Sequence, residues 1–519
     1  MLRKIFLLAS LSVAQLSIAQ CDSIPVSGDL TVNSTTLMSG VYVVDGVFTI
    51  PSGVTVYVTP YSANGCGELK IYADEIYILG EIDGNYAGFV GGDGGERGND
   101  VTSATGHASS LTSCNDSGSE GHIAVQGGLG GNDGTGPGKG IGGDNGQNGS
   151  GTKQYCGNFG DEAGMVGGAG GAGGGSGAAY GGAGSIGDQG GAGSNSYTAS
   201  SLDVQLSYNV VAGNGGNGGG ASSIYGTVNG MDIQKGSGGA GAGGGGRSHY
   251  LGTIGDKGGN GGGMVFLKAA DHIEISGSIS VDGEDGSYGG SGGSGDATAD
   301  CCSDGCSGCD ERTFSAGSGA GSGAGAGSGG GIYIETQGSL SFTGVLSANG
   351  GVGGSGGSKG VGATCDYGGS VFCSGNSMTT DDGSNGGAGG SGGGGRIKLF
   401  TPDCSQATIS GSYSVSGGQG TNPATEGSYA EVCGYLSVAE NEQQAFVVYP
   451  NPFTTQLTVE LGFSDSYSVS LMDATGKTVY SNEDFGSEVQ IATAEFPAGL
   501  YLLQIATSNG IQTHKLIKR

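Results

Sequence analysis

The sequence contains no tryptophan, 9 prolines among 519 residues, and 18 basic residues against 47 acidic ones. The shortage of proline excludes collagen, because a collagen triple helix needs abundant proline together with glycine at every third position. The net charge of −29 disfavours binding to nucleic acids and to anionic membrane surfaces, since both repel an acidic chain. This balance indicates a well-solvated surface, with cation binding as the alternative.

Long hydrophobic runs are also missing. Beyond the N-terminus no stretch approaches the roughly 18 apolar residues of a membrane span. The N-terminus itself reads MLRKIFLLASLSVAQLSIAQC, with a basic start, an apolar middle and small residues before the expected cut. This is the pattern of a signal peptide over residues 1–19, cleaved between Ala19 and Gln20. Cys21 suggests a lipoprotein, but Gln20 is larger than the residue expected before a lipidated cysteine. We expect a mature chain that is exported and either soluble or attached to the cell surface.

Catalytic motifs are absent too. The five histidines are scattered without metal-ligand spacing, and neither H-E-x-x-H nor a G-x-S-x-G elbow in a strand–turn–helix context occurs. The many G-x-G-x-x-G matches lack the following helix that a phosphate site needs. We therefore expect no enzymatic activity and no required cofactor. Carboxylate and carbonyl oxygens are the ligands calcium prefers, and Asp282 and Asp285 are the candidate ligands for it.

The cysteines point to disulfides. Their even number, 12, favours pairing in an exported chain. A zinc site is disfavoured, because the single C-x-x-C in the segment CCSDGCSGCDE has neither a second pair nor a nearby histidine. Two loop-closing pairs, Cys114 with Cys156 and Cys365 with Cys373, are plausible, and the connectivity stays open. The candidate disulfide residues are Cys114, Cys156, Cys301, Cys302, Cys306, Cys309, Cys365 and Cys373.

Glycine is what the sequence has in excess, at 123 of 519 residues, about 24% against a usual roughly 7%. Between the glycine runs, alternating strand patterns recur at residues 67–84, 263–283, 331–350 and 395–417. Their central glycines, Gly277, Gly344 and Gly411, are 67 residues apart (344 − 277 and 411 − 344). The preceding gap, from Gly80 to Gly277, is close to three such units. A fixed period is typical of a solenoid. We predict a parallel β-solenoid of about 67-residue repeats over residues 67–435, with residues 20–66 as opening rungs or a cap.

The glycine runs have a period of their own. Many read Gly-Gly-x, with a small residue at x. A polyproline-II-type helix has three residues per turn, so two of its three faces would then carry no side chain. Such helices can lie backbone to backbone and bond laterally, as in polyglycine II. We predict ordered polyglycine-II-like segments in preference to flexible loops.

The C-terminal part changes character after a linker at residues 436–446. Residues 447–519 read as a small β-sandwich and contain four ordered motifs. Their residues are Tyr449, Pro450, Asn451 and Pro452; Asp473, Gly476 and Lys477; Pro497, Gly499 and Tyr501; and Lys515, Lys518 and Arg519. The set closely resembles the type A C-terminal sorting domain of the type IX secretion system of Bacteroidetes. The resemblance implies Sec export through the periplasm and then outer-membrane translocation, with the type IX machinery as partner, so that the chain is secreted or held on the outer cell surface. It implies nothing about the activity of the preceding residues.

The sequence thus predicts an all-β protein, in which a glycine-rich parallel β-solenoid with polyglycine-II-like segments precedes a small immunoglobulin-like β-sandwich. The expected function is a non-enzymatic structural or adhesion protein that contacts surface glycans or other copies of itself. Two alternatives stay open: a β-helical polysaccharide-degrading enzyme and a protein that binds ice or crystal surfaces. The lack of tryptophan and the scarcity of basic residues in the strand patterns argue against the enzyme. Those basic residues are Lys70, Lys268, Arg396 and Lys398.

Overall fold

The chain forms two compact units, Met1–Tyr435 and Leu436–Arg519. The computed structural model describes residues 23–62, 65–99, 121–156, 161–166, 168–194, 197–199, 211–299, 311–365, 378–434, 446–449, 451–461, 467–474, 477–484, 488–507 and 510–519. Within these ranges the regular structure is all β, apart from a 3-10 turn at Cys404–Gln406. No helix in the described residues is long and apolar enough to cross a membrane. Ala19 and Gln20 lie outside the described ranges.

The first unit is built from short strands. They are β1 Ser23–Ser27, β2 Leu30–Thr31, β3 Thr36–Met38, β4 Gly40–Asp45, β5 Val47–Ile50, β6 Thr55–Val58, β7 Glu68–Ile78, β8 Glu81–Asp83, β9 Gly121–Val125, β10 Gly149–Cys156, β11 Asp161–Val166, β12 Tyr197–Ala199, β13 Met264–Ile275, β14 Ser278–Ser280, β15 Asp296–Ala299, β16 Glu311–Ser315, β17 Gly331–Thr336, β18 Ser339–Phe342, β19 Val345–Ser347, β20 Thr364–Cys365, β21 Met378–Thr380, β22 Arg396–Thr401, β23 Ala407–Ile409, β24 Ser412–Ser414 and β25 Ser428–Cys433.

Two parallel sheets organise these strands. The larger has the order β1-β4-β7-β13-β17-β22-β25, with β2, β5, β18 and β23 paired alongside, and the smaller has the order β24-β19-β14-β8-β6-β3. Ser278 pairs with Val345 and Val345 pairs with Ser412, so the register advances by 345 − 278 = 412 − 345 = 67 residues. This is the predicted period. By contrast, β7 pairs directly with β13, Glu68 opposite Met264, and the described residues between β8 and β13 add no strand to these two sheets.

Strand alternation builds the core of the first unit. In β7, Leu69, Ile71, Ile76 and Ile78 are fully buried, while the alternate residues Lys70 and Tyr77 face away. The equivalent positions of β13, β17 and β22 join the same hydrophobic cluster. The glycine before each third strand lets the chain turn tightly between the sheets, because a Cβ on Gly277 would lie 1.7 Å from the carbonyl oxygen of Gly80.

The glycine-rich segments within residues 84–262, 283–295, 316–330, 348–363 and 381–395 form what we call the glycine bundle. Every backbone N–H from Gly317 to Gly330 donates a hydrogen bond of 2.8–3.0 Å to another segment. The acceptors change in a cycle of three: Gly317 bonds Asp381, Ser318 bonds Gly293, and Gly319 bonds Ala169, after which Ala320 returns to the first neighbour at Ser384. A three-residue cycle is the symmetry of a helix with three residues per turn.

Small polar side chains complete the hydrogen bonding of the bundle. The Asn145 Oδ1 accepts the N–H of Gly130 at 2.7 Å, and the Asn260 Oδ1 accepts that of Gly91 at 3.0 Å. Buried serines act likewise, since the Ser322 Oγ accepts the N–H of Gly387 at 2.8 Å. These side chains satisfy N–H groups that would otherwise be desolvated without a partner. The polar non-glycine residues of the runs therefore contribute to the hydrogen bonding that holds the bundle together.

The second unit is a pair of antiparallel sheets around one core. Its strands are β26 Phe446–Tyr449, β27 Gln456–Leu461, β28 Tyr467–Asp473, β29 Thr478–Asp484, β30 Glu488–Ala492, β31 Gly499–Thr507 and β32 Gly510–Lys518. The sheet orders are β26-β27-β30 and β29-β28-β31-β32. Buried residues of both sheets, including Leu457, Leu471 and Leu503, share one hydrophobic cluster. This is the predicted small sandwich.

Candidate functional site

One face of the larger parallel sheet carries charged and aromatic side chains in rows. The strands β7, β13, β17 and β22 point every second residue away from the core. Parallel pairing then aligns those residues across the four strands. We call the following eight residues the outer-face cluster: Lys70, Phe266, Tyr333 and Lys398 in one row, and Tyr72, Lys268, Glu335 and Phe400 in the next.

Glu335 lies at the centre of this cluster with its side chain fully buried. The Tyr333 hydroxyl donates to its Oε2 at 2.7 Å, and the Gln337 amide donates to its Oε1 at 3.1 Å. The Lys268 Nζ lies 3.3 Å from the same Oε1. A carboxylate can be buried when donors and an opposite charge compensate for its lost hydration. These three partners supply that compensation.

Aromatic rings run across the cluster from strand to strand. The rings of Phe266 and Tyr333 stack with centroids 4.5 Å apart and an interplanar angle of 2°. Tyr333 and Phe400 follow at 5.0 Å, and Tyr72 and Phe266 at 5.4 Å. Each such pair contributes about 0.5–1.5 kcal/mol beyond the area it buries. The ladder thereby holds consecutive strands of the sheet in register.

Residues 222–235, which we call the strap, are bound to the end of the cluster through Lys398. The Lys398 side chain is fully buried, and its Nζ donates to the carbonyl oxygens of Gly230 and Asp232. The same Nζ lies 3.2 Å from the Asp232 Oδ1. Burial lowers the pKa of Lys398, and the carboxylate of Asp232 partly opposes that shift. Burial alone would raise the pKa of Asp232, but hydrogen bonds from Thr227 and Lys398 outweigh it and lower that pKa.

Arg396 binds the strap a second time. Its guanidinium donates to the carbonyl oxygens of Tyr225 and Gly226 at 2.9 and 3.2 Å, and to the Ser428 Oγ at 2.9 Å. It also lies 5.5 Å from the ring centroid of Tyr180, within cation–π range. Tyr180 in turn accepts the N–H of Gln234 at 2.7 Å. Two cations of β22 therefore tie the strap, which is continuous with the glycine bundle, to the sheet.

An acid, a lysine and a tyrosine in contact are the groups used in acid–base catalysis. Here, however, Glu335 and Tyr333 are buried and bonded to one another, so the arrangement also has a purely structural role, which is to join neighbouring strands of the sheet. The sequence reading named the basic residues Lys70, Lys268, Arg396 and Lys398 but missed Glu335 and Asp232. The signal that could have found Glu335 is the alternation within its strand GIYIET, because Glu335 occupies one of the alternate positions that face away from the core.

The two candidate calcium ligands accept hydrogen bonds from the next repeat. The Asp282 Oδ1 accepts from the Ser347 hydroxyl at 2.6 Å and from the Asn349 N–H at 2.5 Å. The Asp285 Oδ1 accepts from the N–H of Val352 at 2.7 Å. Among the described residues no three His, Cys, Asp or Glu side chains are grouped to hold a metal ion. The calcium site stays a prediction.

A disulfide joins Cys404 and Cys433, 29 residues apart, near the last strands of the first unit. Cys66 is disulfide-bonded as well. The sequence reading predicted disulfides but selected none of these three cysteines as candidates. Of its candidates, Cys114, Cys301, Cys302, Cys306, Cys309 and Cys373 lie outside the described residues. Cys156 and Cys365 are the last residues of β10 and β20, where the backbone alone is described.

In the second unit the first and last sorting motifs are bonded to each other. The Asn451 Oδ1 accepts the N–H of Ile517 at 3.0 Å, and the Arg519 N–H donates to the Phe453 carbonyl at 3.0 Å. Lys518 is 8% exposed, and its Nζ donates to the Thr454 carbonyl and lies 5.7 Å from the Phe453 ring centroid.

The other motif residues lie at turns and strand ends. Asp473 caps its turn, since its Oδ1 accepts the N–H of Lys477 at 3.1 Å. The buried Tyr501 donates its hydroxyl to the Pro497 carbonyl at 2.7 Å. Pro452 and Gly499 are exposed, Tyr449 ends β26, and Lys515 is exposed on β32. Pro450 and Gly476 lie outside the described residues.

Comparisons with known proteins concern a small share of the chain. An endo-acting ulvan lyase from Formosa agariphila is 35% identical over 83 residues, which are 15% of this chain and 16% of that protein. A DUF3244 family protein with an immunoglobulin-like β-sandwich from Bacteroides vulgatus is 28% identical over 14% of this chain and 83% of its own, with a TM-score of 0.13. PorZ, a surface component of the type IX secretion system of Porphyromonas gingivalis, is 22% identical over 16% of this chain and 12% of its own, with a TM-score of 0.14.

A family model gives the function of the second unit. Residues 447–519 match the secretion system C-terminal sorting domain. The match covers the four motifs and supports export to the cell surface or the medium by the type IX system, with its machinery as partner. The chain therefore carries a type IX C-terminal sorting domain at residues 447–519.

Proposed function

We propose that the first unit is a non-enzymatic structural or adhesive element that the sorting domain delivers to the cell surface. In this proposal the two parallel sheets are rungs of a solenoid, and the glycine bundle is a polyglycine-II array anchored to them. The observation that carries it is the segment from Gly317 to Gly330, which is buried throughout and donates every N–H to a neighbouring segment. A binding loop or a catalytic lid must move, and hydrogen bonding of every backbone N–H would prevent that movement.

The energetics favour a permanent shape. Ordering glycine costs more conformational entropy than ordering any other residue. Each intramolecular hydrogen bond returns a net of about 1 kcal/mol, so many must form together before the bundle is stable. The close approach needs glycine, since a Cβ on Gly323 would lie 2.1 Å from the carbonyl oxygen of Gly354. Such an array is rigid and suits a protein that must keep a surface in place.

The bundle presents side chains in regular rows suited to adhesion. Gly286, Gly289, Gly292 and Gly295 donate in turn to Val352, Ser355, Ser358 and Val361, which places two segments side by side. Those four acceptor residues are all exposed, at every third position. Tyr288 on the neighbouring segment is 69% exposed. A repeating mixture of hydroxyl, aliphatic and aromatic groups can contact surface glycans or other copies of the chain.

The test compares a producing bacterium with a strain that lacks this chain, and measures attachment to glycan-coated surfaces and to sister cells. Reduced attachment that purified mature protein restores, without release of sugar products, is the expected result. Attachment unchanged in the deletion strain contradicts the proposal. An ice- or crystal-binding protein would instead produce thermal hysteresis in solution.

The outer-face cluster favours one rival, a carbohydrate-active enzyme. Lys268 and the Tyr333 hydroxyl both lie within hydrogen-bonding distance of the Glu335 carboxylate. One relative is named as an ulvan lyase, although the match spans only 16% of it. Incubation with several polysaccharides, ulvan among them, tests this rival. Product release that is abolished by Glu335→Gln would establish the enzyme. The control is Glu274→Gln, which changes a half-buried glutamate on β13 and should leave the release intact.

A further inference from the structure

The first strands of the smaller parallel sheet expose apolar side chains on their outer face. Leu37 of β3 pairs with Tyr57 of β6, and Tyr57 pairs with Asp83 of β8. The residues that alternate with them, such as Val56 and Ile82, are buried in the core, so these three side chains point away from it. Leu37 is 65% exposed and Tyr57 is 43% exposed. We call Leu37, Tyr57, Glu81, Asp83 and Tyr86 the tyrosine platform.

Tyr86, which follows Asp83 closely in the chain, adds a second exposed ring. It is 49% exposed, and its φ of 59° is left-handed, which is rare for a bulky residue. Its N–H donates to the Asp282 carbonyl at 2.9 Å, which ties it to the segment after β14. Burial raises the pKa of the Tyr86 hydroxyl, and four nearby carboxylates raise it further: those of Asp285, Asp282, Glu284 and Asp83. The ring therefore lies at the surface among carboxylates.

The two carboxylates of the platform keep acceptor atoms for a ligand. The Glu81 Oε2 accepts the Thr55 hydroxyl at 3.1 Å, and the Asp83 Oδ1 accepts the N–H of Asn85 at 2.9 Å. Within the described part of the chain, the second oxygen of each carboxylate has no hydrogen bond. An ionised carboxylate can only accept hydrogen bonds, at about four positions. A ligand that carries many hydroxyl donors matches this surface.

Neither lysine nor arginine occurs at the paired outward positions of this sheet. The row of Tyr57 and Asp83 continues through three serines, and the row of Thr55 and Glu81 continues through two serines and Val345. An anionic polymer would meet these carboxylates without a cation to pair with. A second copy of the chain would bring the same carboxylates against them, and like charges placed together disfavour a complex. The charge of the face therefore favours an uncharged ligand.

We propose that the tyrosine platform binds an uncharged polysaccharide. The Tyr57 ring and Leu37 contact a C–H face of a sugar, while Glu81 and Asp83 accept its hydroxyl groups. Tyrosine suits such a contact, because its ring is a large apolar surface with a polar end that stays in water. This inference rests on the proposed adhesive function and gives it a ligand class and a site outside the glycine bundle.

The experiment measures binding of the purified mature chain to three uncharged polysaccharides, which are cellulose, xylan and mannan. Carrageenan and chitosan are the anionic and the cationic comparison. We expect the wild type to bind at least one uncharged polymer more tightly than either charged one. That affinity should stay the same from about 0.1 M to about 1 M salt, although the Debye length falls from about 10 Å to about 3 Å. Binding to none of the uncharged polymers, or tighter binding to a charged one, overturns the proposal.

Substitutions at Tyr57 locate the contact. Tyr57→Ala should weaken binding about tenfold, equivalent to about 1.4 kcal/mol, because truncation of an aromatic residue removes contact area at an interface. Tyr57→Phe keeps the ring and should retain most of the affinity. Tyr250→Ala removes a ring that is 56% exposed in the glycine-rich region and should bind like the wild type. Equal affinities of Tyr57→Ala and the wild type overturn the proposal. Asp83→Asn, which removes a charge at constant shape, should also weaken binding, and it serves if Tyr57→Ala is unstable.

The cell-attachment test separates this proposal from the broader one. If attachment needs the chain but Tyr57→Ala neither weakens polysaccharide binding nor reduces attachment, the platform fails and the adhesive function stands. If the purified chain binds a polysaccharide through Tyr57 but the deletion strain attaches normally, the adhesive function fails and the binding site stands.

Discussion

Gly344 lies directly beneath Gly277, so that a Cβ on Gly344 would be 1.9 Å from the carbonyl oxygen of Gly277. Gly344→Ala should therefore force successive repeats apart and cost about 1–3 kcal/mol or more, the range of overpacked cores. Denaturant unfolding of the mature chain measures this loss. Gly220→Ala is the matched control, because nothing lies within 4 Å of that Cβ. Equal stability of the two variants would contradict the stacking.

The glycine bundle gives a second prediction. A Cβ on Gly321 would lie 1.9 Å from the carbonyl oxygen of Gly243, which belongs to a different glycine-rich segment, distant in sequence. Gly321→Ala should separate the two segments and break the bond from the Gly243 N–H to Ser322. Limited proteolysis should then cut within residues 236–262 at a rate higher than in the wild type or in Gly220→Ala. A loose set of loops would show the same cleavage in all three proteins.

Substitutions of Asp282 distinguish a structural role of this residue from a role as a calcium ligand. The equivalent residue of the next repeat is Asn349, whose Oδ1 accepts from the Ser414 hydroxyl and the Ser416 N–H. An amide oxygen therefore suffices for this role, and Asp282→Asn should unfold close to the wild type. Asp282→Ala leaves the Asn349 N–H without its acceptor and should cost about 1–3 kcal/mol.

Calcium dependence provides the contrast. The hydrogen-bonding role predicts the same unfolding midpoint for the wild type with calcium and with a chelator. A midpoint that calcium raises in the wild type but not in Asp282→Asn would establish the metal site instead.

Tyr180, which is buried beside the strap, and Tyr225, a half-buried residue of the strap itself, predict a loss of stability in alkali. Burial raises the pKa of Tyr180 and of Tyr225 well above the ordinary value of 10.0. Above that value the unfolded chain releases protons that the folded chain keeps, so the free energy of unfolding falls as pH rises. The slope is about 1.4 kcal/mol per pH unit for each tyrosine. Burial lowers the pKa of Lys398, so this lysine makes the free energy of unfolding increase as pH rises. Its contribution stops increasing near pH 10.5, the ordinary pKa of lysine, and therefore does not offset the tyrosines above that pH.

Tyr225→Phe isolates this effect. It removes the hydroxyl that donates to the Lys235 carbonyl at 2.6 Å, so it should cost about 1 kcal/mol at neutral pH. It should also flatten the decline in stability between about pH 10 and about pH 11. Denaturant midpoints across that range measure both effects. Tyr288→Phe, at a ring that is 69% exposed, should keep the wild-type slope; a slope unchanged in Tyr225→Phe would contradict the account.

The sequence was most informative where one physical rule determined the structure. Alternation predicted the inward faces of β7 and β13, and the 67-residue spacing of Gly277, Gly344 and Gly411 predicted the register. The partners of the glycine segments were not predictable, because Gly319 and Ala169 meet through backbone atoms that every sequence has. The strap was not predictable either, because the hydrogen bond from Lys398 to Asp232 joins residues 166 positions apart and no local sequence pattern indicates it.

The central claim is that the glycine-rich segments are an ordered, hydrogen-bonded array, and amide hydrogen exchange of the mature chain tests it most directly. Fragments covering Gly317–Gly330 should exchange as slowly as fragments of β13 and β17, because each N–H in that segment is bonded and buried. Exchange of those amides within the dead time of the experiment, while the strands remain protected, would contradict the claim.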